Sequence, residues 1–306
     1  MNTKCLTLKC AYNIHTNTGI SDKHCCLACE SGQSIHDELC EKTVFRITSN
    51  SNSPDIKDAY FLSHNGLGDN ITCIGAVLFL LKYYNRIFFL CKDYNEQNVK
   101  LLFLNKSVIT VSINSGREFD HCKEIINAVD KDKNDLFISG YHKTYLSSHI
   151  TSKGLLNYTN ANKYNLKYDF IREFYEDIKL DTSIYADYFD IKTEESLALY
   201  LAITDLKIIF LHTQASNKTI DLNNIIELFI NKENYIVICP NKNIYNKTDL
   251  HYELADKYVM LKVADYIDVI KNAEEIHVID SCFACIVYPL LLAKKLSSTK
   301  TIIYDR

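Results

Sequence analysis

The sequence predicts an α/β protein made of two halves, each a parallel sheet covered by helices, behind a small cysteine-rich N-terminal segment. Short β-prone apolar runs alternate with segments of helical period from residue 59 onward, and the alternation falls into two series separated by a helical stretch. Parallel strands with right-handed crossovers follow from that order, so two Rossmann-like halves with a cleft between them are the economical architecture. Composition agrees: 306 residues, 47% hydrophobic and 24% charged, describe a globular chain long enough for two ordinary domains. The expected division is 1–54 for the cysteine-rich segment and linker, 55–190 for the first half and 191–306 for the second.

Six of the twelve cysteines, Cys5, Cys10, Cys25, Cys26, Cys29 and Cys40, fall within the first 40 positions beside His15, His24 and His36. The spacing Cys26-X2-Cys29-X6-His36-X3-Cys40 offers four ligands for a tetrahedral structural zinc, loosely similar to a CCHC zinc knuckle but with a different inner spacing. Cys5 and Cys10 are alternative ligands, and free reduced thiols in a loop-rich segment are the alternative to any metal. Four protein ligands would leave no open position for chemistry. Residues 48–54, Thr-Ser-Asn-Ser-Asn-Ser-Pro, read as a linker.

In the first series, strands are expected over 59–62, 86–91, 108–113 and 135–139, with helices over 71–84, 96–104 and 118–129 between them. Helices over 168–178 and 194–202 bridge to the second series. There, strands are expected over 206–211, 235–239, 258–261, 275–279 and 301–304, and helices over 222–230, 264–271 and 283–296. No internal sequence repeat underlies the two series.

A net charge of -4 argues against a chain built to neutralise nucleic-acid phosphates. The first residues lack the apolar core of a secretory signal, and the most apolar stretch, 74–81, ends at Lys82, short of the ~20 residues that span a bilayer. A soluble, cytoplasmic protein without a membrane span is expected.

The stretch Phe61-Leu-Ser-His-Asn-Gly-Leu-Gly-Asp-Asn70 puts two glycines and a carboxylate at a strand-to-helix turn. Open α/β proteins bind ligands at the carboxyl edge of the sheet, where Asp69 would stand. Gly66 and Gly68 can take positive φ and let a ligand approach the backbone. His64 and Asn65 are placed to orient a polar group bound there. Ordinary turn and cap chemistry explains the same residues, with His64 as a turn hydrogen-bonder. In the second half, Ile276-His-Val-Ile-Asp280-Ser281-Cys282-Phe283 runs from strand into helix, where Asp280 and Ser281 either cap the helix or help its N–H groups hold a diphosphate. The strand at 208–211 opens into His212-Thr-Gln214-Ala-Ser-Asn-Lys218, a polar loop whose lysine either meets an anion or is solvated.

These three loops, in this order, resemble the GT-B glycosyltransferases, closest to the heptosyltransferase-like group, over roughly 58–306. The resemblance implies a GT-B-like fold and a nucleotide-sugar donor held by the second half, with a glycan or other hydroxyl acceptor entering from the first. By it Asp69 is the catalytic base, the loop with His212, Gln214 and Lys218 contacts phosphate, and Asp280, Ser281 and Cys282 begin the donor-binding turn. Cys282 stands where the family has glycine, and Cys285 where it has a histidine. An inverting displacement is implied. No Asp-X-Asp signature stands at a suitable strand end, so no catalytic metal or other cofactor is required. The rival reading is a catalytically inactive Rossmann-pair binding module with a zinc-dependent head that recruits protein or RNA. A dehydrogenase is disfavoured because Gly66-X-Gly68 is followed by Asp69 and no third glycine.

Overall fold

The alternation of strand and helix resolves into two four-stranded parallel sheets in the computed structural model, which describes residues 57–150, 163–242 and 244–306. The candidate zinc ligands Cys26, Cys29, His36 and Cys40 lie outside the described residues. The first sheet has the order β3-β2-β1-β4, from β1 (Asp58–Leu62), β2 (Ile87–Lys92), β3 (Val108–Ile113) and β4 (Asn134–Ile138). The second has the order β6-β5-β7-β8, from β5 (Lys207–His212), β6 (Tyr235–Ile238), β7 (Glu275–Ile279) and β8 (Lys300–Tyr304). Central strands such as β2 are apolar and buried on both sides because helices cover both faces of the sheet.

The helices are α1 (Leu67–Thr72), α2 (Ile74–Leu80), α3 (Glu96–Leu102), α4 (Glu118–Ala128), α5 (Asp169–Asp177), α6 (Ile184–Asp187), α7 (Glu194–Leu201), α8 (Asn223–Phe229), α9 (Tyr252–Ala255), α10 (Ile267–Lys271) and α11 (Cys282–Leu292). Helix α4 lays Cys122, Ile125 and Ile126 on one face of the first sheet, and α8 covers Ile209, Leu211 and Val237 in the second. The opposite faces of both sheets pack into one continuous core that contains Phe61, Phe89, Phe210, Tyr266 and Phe283.

Three expectations need correction. The helix expected over 71–84 starts at Leu67 and breaks at Cys73, so Asp69 lies inside its first turn rather than in the loop before it. At the break the Tyr175 hydroxyl donates to the Thr72 carbonyl at 3.0 Å and accepts from the Ala76 N–H at 3.1 Å, supplying partners for backbone groups there. The strand expected over 258–261 does not form: Asp256–Tyr258 is a 3-10 turn and Met260 has φ 60°. Its N–H groups go instead to Pro240 O at Met260 and to the Tyr266 hydroxyl at Leu261. Finally, the two halves are not separated throughout by a gap, because helices α1 and α2 and helix α11 belong to the same core.

Candidate active site

At the end of β1, a short turn carries Ser63, His64, Asn65 and Gly66 into α1. Asn70 fastens it, its amide donating to Ser63 Oγ at 3.1 Å and to the His64 carbonyl at 3.3 Å. Gly66 caps α1 with φ -69° and ψ 151°, and among the described residues Gly140 alone of the glycines has positive φ. The two glycines therefore serve close approach, not a left-handed turn. A Cβ on Gly66 would meet Asp69 Oδ2 at 2.5 Å, because that carboxylate folds back onto the Gly66 N–H. A Cβ on Gly68 would stand 3.3 Å from Cys285 Sγ and 3.7 Å from Cys282 Cα, so this glycine lets α1 lie against α11.

Asp69 keeps 32% of its side chain exposed, and His64 Nδ1 stands 3.6 Å from its Oδ2. Burial raises the Asp69 carboxyl above the usual carboxylate range, although His64, the Gly66 N–H, Arg306 and Lys92 all pull the other way. The group is thus a part-buried carboxylate with a strengthened hold on a proton and an open path to solvent.

Behind it lies a polar network at the carboxyl edge of the first sheet. Lys92, the last residue of β2, pairs with Glu118 at 2.6 Å. Asn65, fully buried, donates to Glu118 Oε1 at 3.2 Å and lies 3.1 Å from His142 Nε2. Burial would raise the Glu118 carboxyl, but Lys92 and Asn65 outweigh it and hold it low. Burial lowers the His142 imidazole. Asn65 therefore braces the turn from beneath. The sequence reading missed Lys92, Glu118 and His142, although each falls at or just beyond a strand end or at a helix start, where an open α/β sheet gathers its polar groups.

Across the seam, the second sheet contributes the loop after β5 and the start of α11. Ser281 caps α11, its hydroxyl accepting from the Phe283 N–H at 3.3 Å and lying 3.0 Å from His212 Nδ1. Burial pushes the His212 imidazole down to about 4, so it is neutral near pH 7 and can accept from Ser281. Asp280 does not cap: its backbone N–H bonds the Tyr304 carbonyl and its carboxylate accepts from Arg306 Nε at 3.3 Å. Gln214 accepts from Asn241, and Lys218 Nζ reaches the Asp305 carbonyl at 3.3 Å. Burial raises the Cys282 thiol to about 11 and the Cys285 thiol to about 12, which keeps both protonated near neutrality.

The structure thus gathers Asp69, His64, Gly68, Cys282 and Ser281 at one seam between the carboxyl edges of the two sheets. Lys218 lies at the rim, bound to the C-terminal strand's extension. Among the described residues no group of three or more His, Cys, Asp or Glu could hold a metal ion, and no helix is long and apolar enough to cross a membrane.

No family model and no curated protein matches the sequence. Solved structures resemble the chain at low identity. One is a glycosyl transferase family 9 protein from Veillonella parvula DSM 2008, at 12% identity and TM-score 0.49, over 84% of this chain and 88% of that one. A second is the E. coli ADP-heptose lps heptosyltransferase II, at 8% and 0.45, over 81% and 90%. The E. coli heptosyltransferase WaaC gives 8% and 0.43 over the same shares.

The seam can do two things chemically. A carboxylate with a raised proton affinity and a solvent path can take a proton from a hydroxyl. The amino end of an eleven-residue helix, with Arg306 beside it, favours negative charge.

Proposed function

We propose that this chain is a glycosyltransferase that moves a sugar from a nucleotide-sugar donor to an acceptor hydroxyl, with inversion and without a catalytic metal. One observation carries the reading: Asp69, part-exposed and with a raised proton affinity, stands on α1 where that helix meets the amino end of α11 from the other sheet. Two parallel sheets that meet at their carboxyl edges also fit the GT-B-like arrangement that the motif order resembles.

In this reading the acceptor enters over the first sheet and Asp69 takes its proton as the oxygen attacks the anomeric carbon. His64 and Asn65 hold the turn that aims the carboxylate. The bond to the nucleoside diphosphate breaks on the opposite side, and charge grows on the departing phosphate. Donors fixed at the start of α11, with Arg306 and Lys218 nearby, stabilise that charge more than they stabilise the bound donor. His212 and Gln214 shape the loop that flanks the phosphate, and Asp280 holds Arg306 in place. Cys26, Cys29, His36 and Cys40 belong to the same proposal as a structural zinc site, and purified protein free of zinc would remove it.

The test is a panel of nucleotide sugars scored by thermal shift and turnover. At least one donor stabilises the wild type, and Asp69→Asn keeps its affinity while turnover drops about 10²–10⁴-fold. Stabilisation by none of them would overturn the proposal. A second reading, the inactive binding module, is favoured by the crowding at α11: Ser281 already occupies the Phe283 N–H, and Gly68 lies against Cys282. The same panel separates the two, since a binding module has no turnover for Asp69→Asn to remove.

A further inference from the structure

Five aromatic residues are exposed among the described residues: Tyr83, Tyr94, Tyr141, Tyr145 and Phe170. None of them lies on the second sheet or its helices. Tyr94 follows β2 and Tyr141 and Tyr145 follow β4, all at the carboxyl edge that carries Asp69, and Phe170 opens α5 beside them. The rings form a chain of contacts. The His64 ring lies 4.9 Å from Tyr141, Tyr141 lies 5.4 Å from Tyr145, and Tyr145 meets Phe119 at 5.0 Å. From the other side of His64, Phe174 leads on to Phe170 at 6.1 Å. The middle of the row is therefore the imidazole 3.6 Å from Asp69.

Exposed aromatic rings cost hydration free energy unless something covers them, and a cluster at one site marks a binding surface. The chemistry of the surroundings narrows the occupant. Tyr145 is 59% exposed and Tyr94 65%, yet no aliphatic side chain shares their exposure at this edge. The exposed leucines and Met260 lie on α7, in the second half or, as Leu104, ahead of β3 at the opposite edge. A lipid tail would need such an aliphatic groove. Three cations near the rings are paired with carboxylates, Lys92 with Glu118, Arg117 with Glu124 and Lys143 with Asp177, so an anionic polymer gains little from them. What remains is flat C–H-accepting faces with the tyrosine hydroxyls at their edges. A pyranose presents the complement, C–H groups on its faces and hydroxyls around its edge.

We infer that this rim binds a neutral saccharide chain, its rings stacked on Tyr145 and Tyr141 with the terminal residue over His64 toward Asp69. The inference rests on the transferase reading only for the direction of the chain, since the saccharide is then the acceptor. Tyrosine suits the task because it offers a large rigid surface at small cost in side-chain entropy.

Titration of the full chain with chitohexaose, cellohexaose and maltohexaose, followed by calorimetry and saturation-transfer NMR, tests it. At least one hexasaccharide binds at up to millimolar concentration, and Tyr145→Ala and Tyr141→Ala each weaken it by about three- to tenfold. Tyr145→Phe, which keeps the ring, retains binding, and Tyr83→Ala changes nothing. Near-UV circular dichroism checks that the variants stay folded. The inference is overturned if none of the three binds, or if binding is indifferent to the loss of both rings. Saccharide binding without use of any nucleotide sugar would remove the transferase reading and leave this one standing. Donor turnover without saccharide binding does the reverse.

Discussion

Asp69 answers two demands with one carboxylate. It closes the first turn of α1 by accepting the Gly66 N–H, and it is the group proposed to take the acceptor's proton. The first demand is met as well by the amide oxygen of an asparagine; the second is not. Because the folded-state carboxyl is raised, ionising it costs more in the folded chain than in the unfolded one. That cost is absent below the ordinary carboxylate range and grows as pH rises through the raised value. Asp69→Asn should therefore melt at the same temperature as wild type in acid and at an equal or higher one at pH 7, while losing turnover. A variant that melts well below wild type at pH 7 would show that the charge itself stabilises the turn. His212 gives a second pH signal of the opposite sense. Burial pushes its imidazole down to about 4, so between the ordinary value near 6.5 and that figure the unfolded chain takes up a proton that the folded one refuses. Stability contributed by neutral His212 is present above that window and is lost as pH falls through it, about 3 kcal/mol in all. In urea titrations at stepped pH, His212→Gln should flatten this slope, and equal slopes would rule the mechanism out.

The break between α1 and α2 marks the limit of what periodicity can read. Residues 71–80 carry the apolar spacing of one helix, and nothing local in Ile71-Thr-Cys-Ile-Gly75 signals a break. The interruption is made by partners about a hundred residues away. Tyr175 inserts its hydroxyl between Thr72 and Ala76, and the Ile184 and Tyr185 carbonyls press on Gly75, where a Cβ would meet them at 2.6 and 2.7 Å. Those atoms are backbone and cannot swing aside. Gly75→Ala should cost about 2–3 kcal/mol or more by urea unfolding, whereas Gly68→Ala, opposed mainly by a cysteine side chain at 3.3 Å, should cost less and recover in combination with Cys285→Ala. Additive costs in that pair would mean the two residues do not press on each other. The strands were legible for the converse reason, since a buried parallel strand needs an unbroken β-branched or aromatic run, as Ile87-Phe-Phe-Leu-Cys91 shows. The run at 258–261 looked alike but contains Met260 with positive φ, a backbone choice that its composition does not reveal. At the site, Asp69, Ser281 and His212 were readable because each sits in a polar break between apolar runs. Lys92, Glu118 and His142 were not, because long-range pairing, not local pattern, makes them one network.

On the scale of the whole molecule, a single core joins the two sheets. Phe61 and Phe89 from the first sheet, α2, α6 and α11, and Phe210 and Tyr266 from the second half all belong to it. Hydrogen bonds cross as well: the Val263 N–H reaches Asn98 Oδ1 at 3.2 Å, and the Lys167 N–H reaches the Tyr288 hydroxyl at 2.7 Å. Each sheet also keeps a smaller core of its own, under α4 and under α8, but the larger one is common to both. A shared one means that unfolding either sheet strips apolar cover from the other, which is the condition for a cooperative transition. Urea unfolding followed by far-UV and near-UV circular dichroism should therefore give coincident curves with one midpoint. The coupling also bears on the donor. A nucleotide sugar bound at the start of α11 should protect amides of β1 and α1 as well as those of β7, because opening either sheet exposes the same core, and a donor at one hundred times its Kd adds about 2.7 kcal/mol to that single transition. Hydrogen exchange read with and without donor decides the matter. Protection confined to residues 207–306, or two separated urea midpoints, would mean that the halves move and unfold as separate bodies and that Asp69 is brought to the donor by closure of the two halves rather than held beside it.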